Sequence, residues 1–202
     1  MKLDLGSGPE PVEGFEGVDR EPVTDHVFDL ATGWDGWRWP WDDNSIEALR
    51  SSHFIEHIPA ESAQMHCPVQ QRQLFKDLLV HFFDEAWRVI EPGGTFELFW
   101  PPLQSTFAFQ DPTHRRFIPA RQLMYFSREF RDNNRLGFLN AQCNWVVRDF
   151  SATLLRPDEE PDLDTVATLH GAKRAAEIID RQREQQWNRI SEYHAVLVAV
   201  KP

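Results

Sequence analysis

The stretch MKLDLGSGP, residues 1–9, joins a short apolar run to a Gly-Ser-Gly loop. This pattern predicts a β-strand that ends in a tight backbone turn just after Leu5. Because glycine has no Cβ, a turn built on Gly6 and Gly8 allows a ligand to approach the main chain closely. The sequence therefore predicts a ligand-binding loop at the end of the first strand.

A second short run, residues 15–18, ends at Asp19 and is followed by Arg20. In αβ folds that bind nucleotides, an acidic residue at this place accepts hydrogen bonds from a ribose diol. The two segments together predict one ligand that contains a ribose and lies across the carboxyl ends of adjacent parallel strands.

Two nucleoside cofactors fit this arrangement. A dinucleotide site needs a third glycine and an open helix N-terminus for the pyrophosphate. Here Pro9, Glu10, Pro11 and Glu13 follow the loop instead, and carboxylates repel a pyrophosphate. A cationic cofactor suits them better. A nicotinamide-dependent oxidoreductase stays a disfavoured alternative, which binding of NAD would revive.

Residues 3–8, LDLGSG, resemble the first motif of the class I S-adenosylmethionine (SAM)-dependent methyltransferases, whose cofactor carries a sulfonium charge. The resemblance extends over residues 1 to about 130 and loosely over the closing strands. It implies SAM as cofactor and S-adenosylhomocysteine as product. The cofactor contacts that it implies are Gly6, Ser7, Gly8, Asp19, Arg20, Asp29, Leu30, Ser52 and His53.

Composition limits the possible classes. A chain of 202 residues with 41% hydrophobic content can bury one core, so we expect a single domain over 1–202. The net charge of -11 argues against nucleic acid as a partner. Cys67 and Cys143 suggest reduced thiols of a cytoplasmic protein. No targeting signal and no apolar run approaching ~20 residues is visible, so we expect no membrane association.

Short apolar runs alternate with helical patterns, and this order predicts a parallel sheet wrapped by helices. Strands are predicted over 26–30, 45–52, 95–100 and 193–200, and the strongest helix over 70–90. With the resemblance, the fold class is α/β: a Rossmann-like methyltransferase sheet, mostly parallel, with the last strand antiparallel. Residues 8–18 are too short and too rich in Pro and Gly for a full first crossover helix. Residues 156–190 are predicted to form a helical insertion, which is a candidate lid or homodimer contact.

Four tryptophans at positions 34, 37, 39 and 41 form either a stacking platform or, as we favour, the cover of a core edge. Just before them, residues 28–30 resemble the adenine-contacting motif of the methyltransferases. A simpler interpretation of Asp29 is that it caps a turn.

Residues 53–57, HFIEH, match the H-x-x-E-H signature of inverted zinc proteases. That signature needs a stable helix with both histidines facing one metal, and Pro59 ends this helix at once. We therefore predict no metal site. In the methyltransferase resemblance, Ser52 and His53 lie beside the sulfonium end of the cofactor. The following Glu56-His57 pair is either catalytic or structural.

The segment DPTHRRF, residues 111–117, follows the fifth strand of the sheet, where αβ folds open their ligand crevice. Asp111 is predicted to orient His114, whose neutral imidazole suits a general base. Arg115 or Arg116 is a candidate for holding a carboxylate or phosphate. The alternative is a turn with a solvated basic tip. The segment resembles small type 11-like methyltransferases, which are often linked to sugar or polysaccharide modification.

These observations predict a SAM-dependent methyltransferase that acts on a hydroxyl or amine of a small molecule, with a sugar or nucleotide sugar as one candidate. The predicted catalytic residues are His114, Asp111 and His57. The alternative is a non-catalytic SAM-binding or interaction subunit of a larger assembly.

Overall fold

The computed structural model describes residues 1–31, 38–60, 62–67, 72–154 and 190–202. Its three α-helices within these ranges are α1 (Leu78–Val89), α2 (Phe107–Gln110) and α3 (Arg128–Asn133). The strands are β1 (Lys2–Leu5), β2 (Glu16–Asp19), β3 (His26–Val27), β4 (Ile46–Ser52), β5 (Ser62–Cys67), β6 (Arg72–Asp77), β7 (Ile90–Trp100), β8 (Trp145–Leu154) and β9 (Ile190–Ala199).

The main sheet has the strand order β3-β2-β1-β4-β7-β9-β8. The strands from β3 to β7 pair in parallel, and β9 runs antiparallel between β7 and β8. The order reverses at β1, which lies between β2 and β4. A parallel sheet opens its ligand crevice at the carboxyl ends of the strands beside such a switch point. The predicted α/β methyltransferase sheet with an antiparallel last strand is confirmed.

The core forms where apolar side chains alternate along the central strands. In β7, Phe96, Leu98 and Trp100 are buried, whereas the residues between them are only partly covered. Helix α1 covers the sheet with an apolar face that includes Phe82 and Phe83. Burial on one face of the strands and one stripe of the helix is the usual layer arrangement of α/β domains.

The helix predicted over 70–90 is shorter in the structure, and this part of the prediction is wrong. The Asp77 carboxylate accepts the backbone N–H groups of Leu79 and Val80, at 2.9 and 3.4 Å, so that α1 begins at Leu78. Residues 72–77 instead form β6, which pairs antiparallel with β5. The third predicted strand is also shorter, since β3 ends at Val27.

The first crossover, between β1 and β2, contains turns and bends in place of a helix, as the sequence predicts. Of the tryptophan cluster, Trp39 is 2% exposed and packs edge-to-face against Trp41, which fits the core interpretation. Trp34, Trp37, Leu155 and the predicted insertion up to residue 189 lie outside the described residues, and Ile190 already belongs to β9. Within the described ranges, no helix is long and apolar enough to cross a membrane.

Candidate functional site

The loop after β1 is built on two glycines in the left-handed region, Gly6 with φ +72° and Gly8 with φ +59°. A Cβ at Gly6 would lie 2.3 Å from Cδ2 of Phe54, so no other residue fits there without moving that ring. The N–H of Gly6 donates to the carbonyl of Val18 at 2.7 Å. The loop therefore turns tightly over the ends of β1 and β2 and leaves its outer face open.

Side chains order this loop where other folds of this class use a helix. The buried Asp4 carboxylate accepts the N–H of Val12 at 3.0 Å, and Arg50 Nη1 donates to both Asp4 oxygens at 3.2 Å. The loop also packs directly on Gly17, where an added Cβ would lie 2.7 Å from Ser7 Oγ. A buried ion pair that also satisfies a loop amide holds residues 6–12 in place.

Two carboxylates at the strand ends face the loop region. Asp19 Oδ2 accepts the N–H of Gly8 at 3.0 Å, and Oδ1 accepts the N–H of Glu21 at 3.1 Å. Asp29 Oδ1 accepts the N–H of Ala31 at 3.0 Å, which is the turn predicted as the simpler interpretation of Asp29. Each carboxylate oxygen can accept more than one hydrogen bond, so neither turn prevents contact with a ligand.

These elements enclose a first cavity of about 610 Å³ at the carboxyl ends of β1, β2 and β4. Eight of the nine predicted cofactor contacts line it, and Ser52 alone among them does not. The full lining is Gly6, Ser7, Gly8, Asp19, Arg20, Glu21, Phe28, Asp29, Leu30, Ala31, His53, Phe54, His57, Pro59, Thr113 and Arg115. We call this space the first cavity below.

His53 lies at the inner end of the first cavity, directly after β4. Its φ of +53° is uncommon for a residue other than glycine, and such strain concentrates at functional sites. The ring bridges two carboxylates, with Nδ1 3.2 Å from Glu56 Oε1 and Nε2 2.8 Å from Glu192 Oε2. The hydrogen bond with Glu56 and then that with Glu192 raise the pKa of His53, although burial opposes them. The charged imidazolium is thus favoured.

A second cavity of about 450 Å³ adjoins the first, and His53 and His57 line both. Its other lining residues are Pro101, Phe107, Gln110, Asp111, His114, Ser191 and Glu192. All three predicted catalytic residues therefore lie on it. They come from the turn after β4 and the α2 loop, and the β9 residues Ser191 and Glu192 complete the lining.

The sequence predicts that Asp111 orients His114. In the structure a backbone carbonyl orients it instead. Its Nδ1 is 2.8 Å from the carbonyl oxygen of Ala108, which can only accept, so Nδ1 carries a proton and donates. Nε2 lies 4.0 Å from both Asp111 Oδ2 and Glu56 Oε1, which is too long for a hydrogen bond. In the neutral ring, Nε2 therefore has a free lone pair.

Asp111 instead orients His57, through Thr113. The Thr113 hydroxyl donates to Asp111 Oδ1 at 2.6 Å, and His57 Nδ1 lies 3.0 Å from the same hydroxyl oxygen. Because the single hydroxyl proton is directed to the carboxylate, the oxygen accepts from the Nδ1–H of His57. The hydrogen bonds from Thr113 also hold the pKa of Asp111 below its usual value. His57, like His114, keeps a free lone pair on Nε2.

The two arginines of the DPTHRRF segment have different surroundings. Arg116 donates to the carbonyls of Ile58 and Pro59 and pairs with Asp77 at 3.0 Å, so it braces the fold and is not free to hold a substrate anion. Arg115 lines the first cavity. Of the two arginines predicted as alternatives for an anion contact, Arg115 is therefore the remaining candidate.

The strand order of the sheet and the position of the cavities can now be compared with solved structures. The fold is the Rossmann-like fold of SAM-dependent methyltransferases. A SAM-dependent methyltransferase from Archaeoglobus fulgidus aligns over 98% of this chain and 85% of its own, with 17% identity and a TM-score of 0.52. At this identity, the likeness shows the fold alone.

Two further structures with this fold are more distant. Geranyl diphosphate C-methyltransferase from Streptomyces coelicolor aligns over 98% of this chain and 71% of its own, with 14% identity and a TM-score of 0.47. Phosphoethanolamine N-methyltransferase 2 from Haemonchus contortus aligns over 99% and 48%, with 13% identity and a TM-score of 0.47. No family profile and no curated protein matches the sequence.

Proposed function

We propose that this protein is a SAM-dependent methyltransferase that acts on a hydroxyl or amine of a small molecule. The observation that carries the proposal is the pair of cavities that meet at His53 and His57. The first cavity is bounded by a glycine loop and strand-end carboxylates that suit a nucleoside. The second gives an acceptor access to the same point.

The residues of the first cavity offer suitable contacts for the ribose and the base of SAM. Asp19 has free lone pairs for a ribose diol, and Phe28 and Leu30 offer an apolar surface for a base. The carboxylates of Asp19, Glu21 and Asp29 share this lining with the guanidinium groups of Arg20 and Arg115, so its charge is mixed. The open face of the glycine loop leaves room for a ligand against the backbone.

When bound, SAM would supply an electrophilic methyl group: the acceptor atom would bond to the methyl carbon, and the electron pair of the broken carbon–sulfur bond would stay on sulfur in S-adenosylhomocysteine. The protein's part is to align the acceptor with that methyl group and to exclude water. The acceptor must also lose a proton. His57 and His114 both line the second cavity, and the Nε2 lone pair of either ring in its neutral form is suited to accept that proton.

The second cavity suits a small polar acceptor. Phe107 and Pro101 give it an apolar wall, whereas Gln110, Asp111 and Glu192 offer hydrogen-bond partners. An apolar ring face beside convergent polar groups suits a sugar or a nucleotide sugar. We therefore propose these molecules as the acceptor class.

Calorimetric titration of the purified protein with SAM, S-adenosylhomocysteine and NAD tests the proposal. We expect micromolar affinity for the first two ligands and no response to NAD. An acceptor screen that starts with sugars and nucleotide sugars then follows, with methylated product detected by mass spectrometry. Binding of NAD without SAM would overturn the proposal.

A non-catalytic SAM-binding subunit is the second candidate, and the missing first crossover helix favours it. Such a protein would bind SAM without turning over any acceptor and would form a stable heteromer in light scattering. Methyl transfer by the isolated chain would exclude this candidate.

A further inference from the structure

Three neighbouring side chains, of which His57 and His114 line the second cavity and Glu56 is buried beside them, have the chemistry of a metal site. Ligand atoms of Glu56, His57 and His114 can be chosen so that all lie within 4.8 Å of one another. Two imidazoles and one carboxylate are a common ligand set for Zn²⁺ and for other divalent transition metals. This cluster differs from the H-x-x-E-H signature of residues 53–57, because its second histidine is His114 and not His53.

The Glu56 carboxylate provides an independent reason to expect a ligand. Glu56 is 1% exposed, and its Oε1 is 3.2 Å from His53 Nδ1. Its Oε2 has no hydrogen-bond partner among the described residues, although it is fully buried. A buried, unpaired carboxylate oxygen is unfavourable, and such atoms in folded proteins need an explanation. A cation bound at Oε2 would supply the missing partner.

Both histidines are prepared to act as neutral ligands. His114 donates its Nδ1–H to the carbonyl of Ala108, and His57 donates its Nδ1–H to Thr113, which in turn donates to Asp111. Metal-binding histidines usually donate their second ring N–H to a carbonyl or carboxylate in this way, because the bond fixes the tautomer and ring orientation. The lone pairs of both Nε2 atoms stay available.

The spacing fits a site that closes slightly around its ion. Ligand atoms in a tetrahedral zinc site lie about 3.4 Å apart, given a metal–ligand distance of about 2.1 Å. The widest spacing of 4.8 Å exceeds this by little more than an ångström. Zinc binding would therefore require the three side chains to move closer by about an ångström.

We infer that Glu56, His57 and His114 bind one divalent transition metal ion of the zinc class. Three protein ligands leave at least one coordination position open, as in catalytic zinc sites. Two of the three ligands, His57 and His114, line the second cavity. The metal binding stands by itself, and it replaces the proton-accepting role of the two histidines, because a lone pair that binds the ion cannot also accept a proton. Use of the ion to bind an acceptor oxygen beside the cofactor rests on the proposed function.

The test is calorimetric titration of untagged, chelator-treated protein with ZnCl₂, with MgCl₂ in a parallel titration. We expect one zinc ion per chain and little response to Mg²⁺, which prefers oxygen ligands. Co²⁺ in place of Zn²⁺ should give visible absorption bands from the same site. No saturable zinc binding to the wild-type protein would overturn the inference.

Substitutions identify the ligands. Glu56→Gln and His57→Ala should each weaken zinc binding about 100-fold or more. His26→Gln is the matched control, since His26 pairs with the carboxylate of Glu16 at 2.8 Å and lines neither cavity, and its zinc affinity should equal that of the wild type. Circular dichroism without metal shows whether each variant folds. If Glu56→Gln does not fold, the zinc affinity of His57→Ala decides the test. Wild-type affinity in a folded ligand variant would overturn the inference.

Titration with SAM in the absence of zinc separates this inference from the proposed function. Zinc binding without SAM binding would leave the metal site standing and remove the methyltransferase. SAM binding without zinc binding would do the reverse.

Discussion

The first and second cavities meet at two histidines, but they are built in different ways. The first is bounded by short segments at the ends of β1, β2 and β3, and much of its shape comes from backbone turns. The second is bounded by side chains from the turn after β4, the α2 loop and the start of β9. Ten of the sixteen residues that line the first cavity come from residues 6–31, whereas the second cavity is lined by three segments that are far apart in sequence.

This difference assigns the two cavities different tasks. A backbone-lined pocket at the switch point of the sheet recognises features that any SAM-like nucleoside shares. A pocket lined by loop side chains can change its ligand without changing the fold, so acceptor choice belongs there. The difference predicts that substitutions in the first cavity alter cofactor affinity, whereas substitutions around the second alter the metal site and the acceptor.

The largest effect is expected from Gly6→Ala, which should abolish measurable SAM binding. The new methyl group would overlap the Phe54 ring at 2.3 Å, and that ring in turn packs near Phe82 at a centroid distance of 5.6 Å. The positive φ adds about 1–2 kcal/mol of backbone strain for any residue other than glycine. Calorimetry with SAM and thermal unfolding measure both effects.

Gly14→Ala is the control for backbone strain. Gly14 has φ +84°, but a Cβ there would meet nothing within 4 Å, and the residue does not line the first cavity. The Gly14→Ala substitution should lower the melting temperature through backbone strain alone and leave SAM affinity unchanged. Equal SAM affinity in the Gly6 and Gly14 variants would mean that the loop is not the cofactor's contact.

The next effect is expected from Asp19→Ala. Loss of charge-assisted hydrogen bonds to a ribose costs about 1.5–3 kcal/mol, which corresponds to about a tenfold to hundredfold loss of SAM affinity. Part of this loss of affinity comes from the loop, because the substitution also removes the hydrogen bond that the Gly8 N–H donates to Asp19 at 3.0 Å. Calorimetric titration with S-adenosylhomocysteine measures the change without turnover.

Asp25→Ala gives the matched comparison for Asp19. Asp25 also accepts a backbone N–H, from Gly17 at 2.8 Å, but it lies outside the lining of the first cavity. Its removal should lower stability while changing SAM affinity by no more than about twofold. Similar affinities for the two variants would argue that Asp19 supports the loop without contacting the cofactor.

The contrast between the cavities also explains which residues of the site can be predicted from the sequence. Gly6, Gly8, Asp19 and Asp29 lie at strand ends that short apolar runs predict, and the structure places all of them around one cavity. Their roles as cofactor contacts stay predictions. The missing first helix was predicted for a local reason as well, because the segment is short and rich in Pro and Gly.

The errors lie where hydrogen bonds that residue spacing does not indicate, some local and some distant, decide the structure. Asp111 and His114 are three residues apart, which suggests a direct pair, but the fold turns Asp111 toward Thr113 and His57. Glu192 pairs with His53 across 139 positions of sequence, and no local pattern indicates it. In the same way, the apolar spacing over 70–90 resembles one helix, although the Asp77 cap starts α1 only at Leu78.

The smallest effect is expected from Thr113→Val, which keeps the shape of the side chain but removes the hydroxyl between His57 and Asp111. A partner that orients a metal ligand typically contributes a factor of about ten to a hundred in metal affinity, and one indirect link should lie at the low end. We therefore expect about tenfold weaker zinc binding and a smaller change in SAM affinity, since Thr113 also lines the first cavity. Thr113→Ser, which restores the hydroxyl, should restore zinc affinity as well. If Val and Ser at this position bind zinc equally, His57 takes its orientation from packing, and the link from Asp111 through Thr113 plays no part in the second cavity.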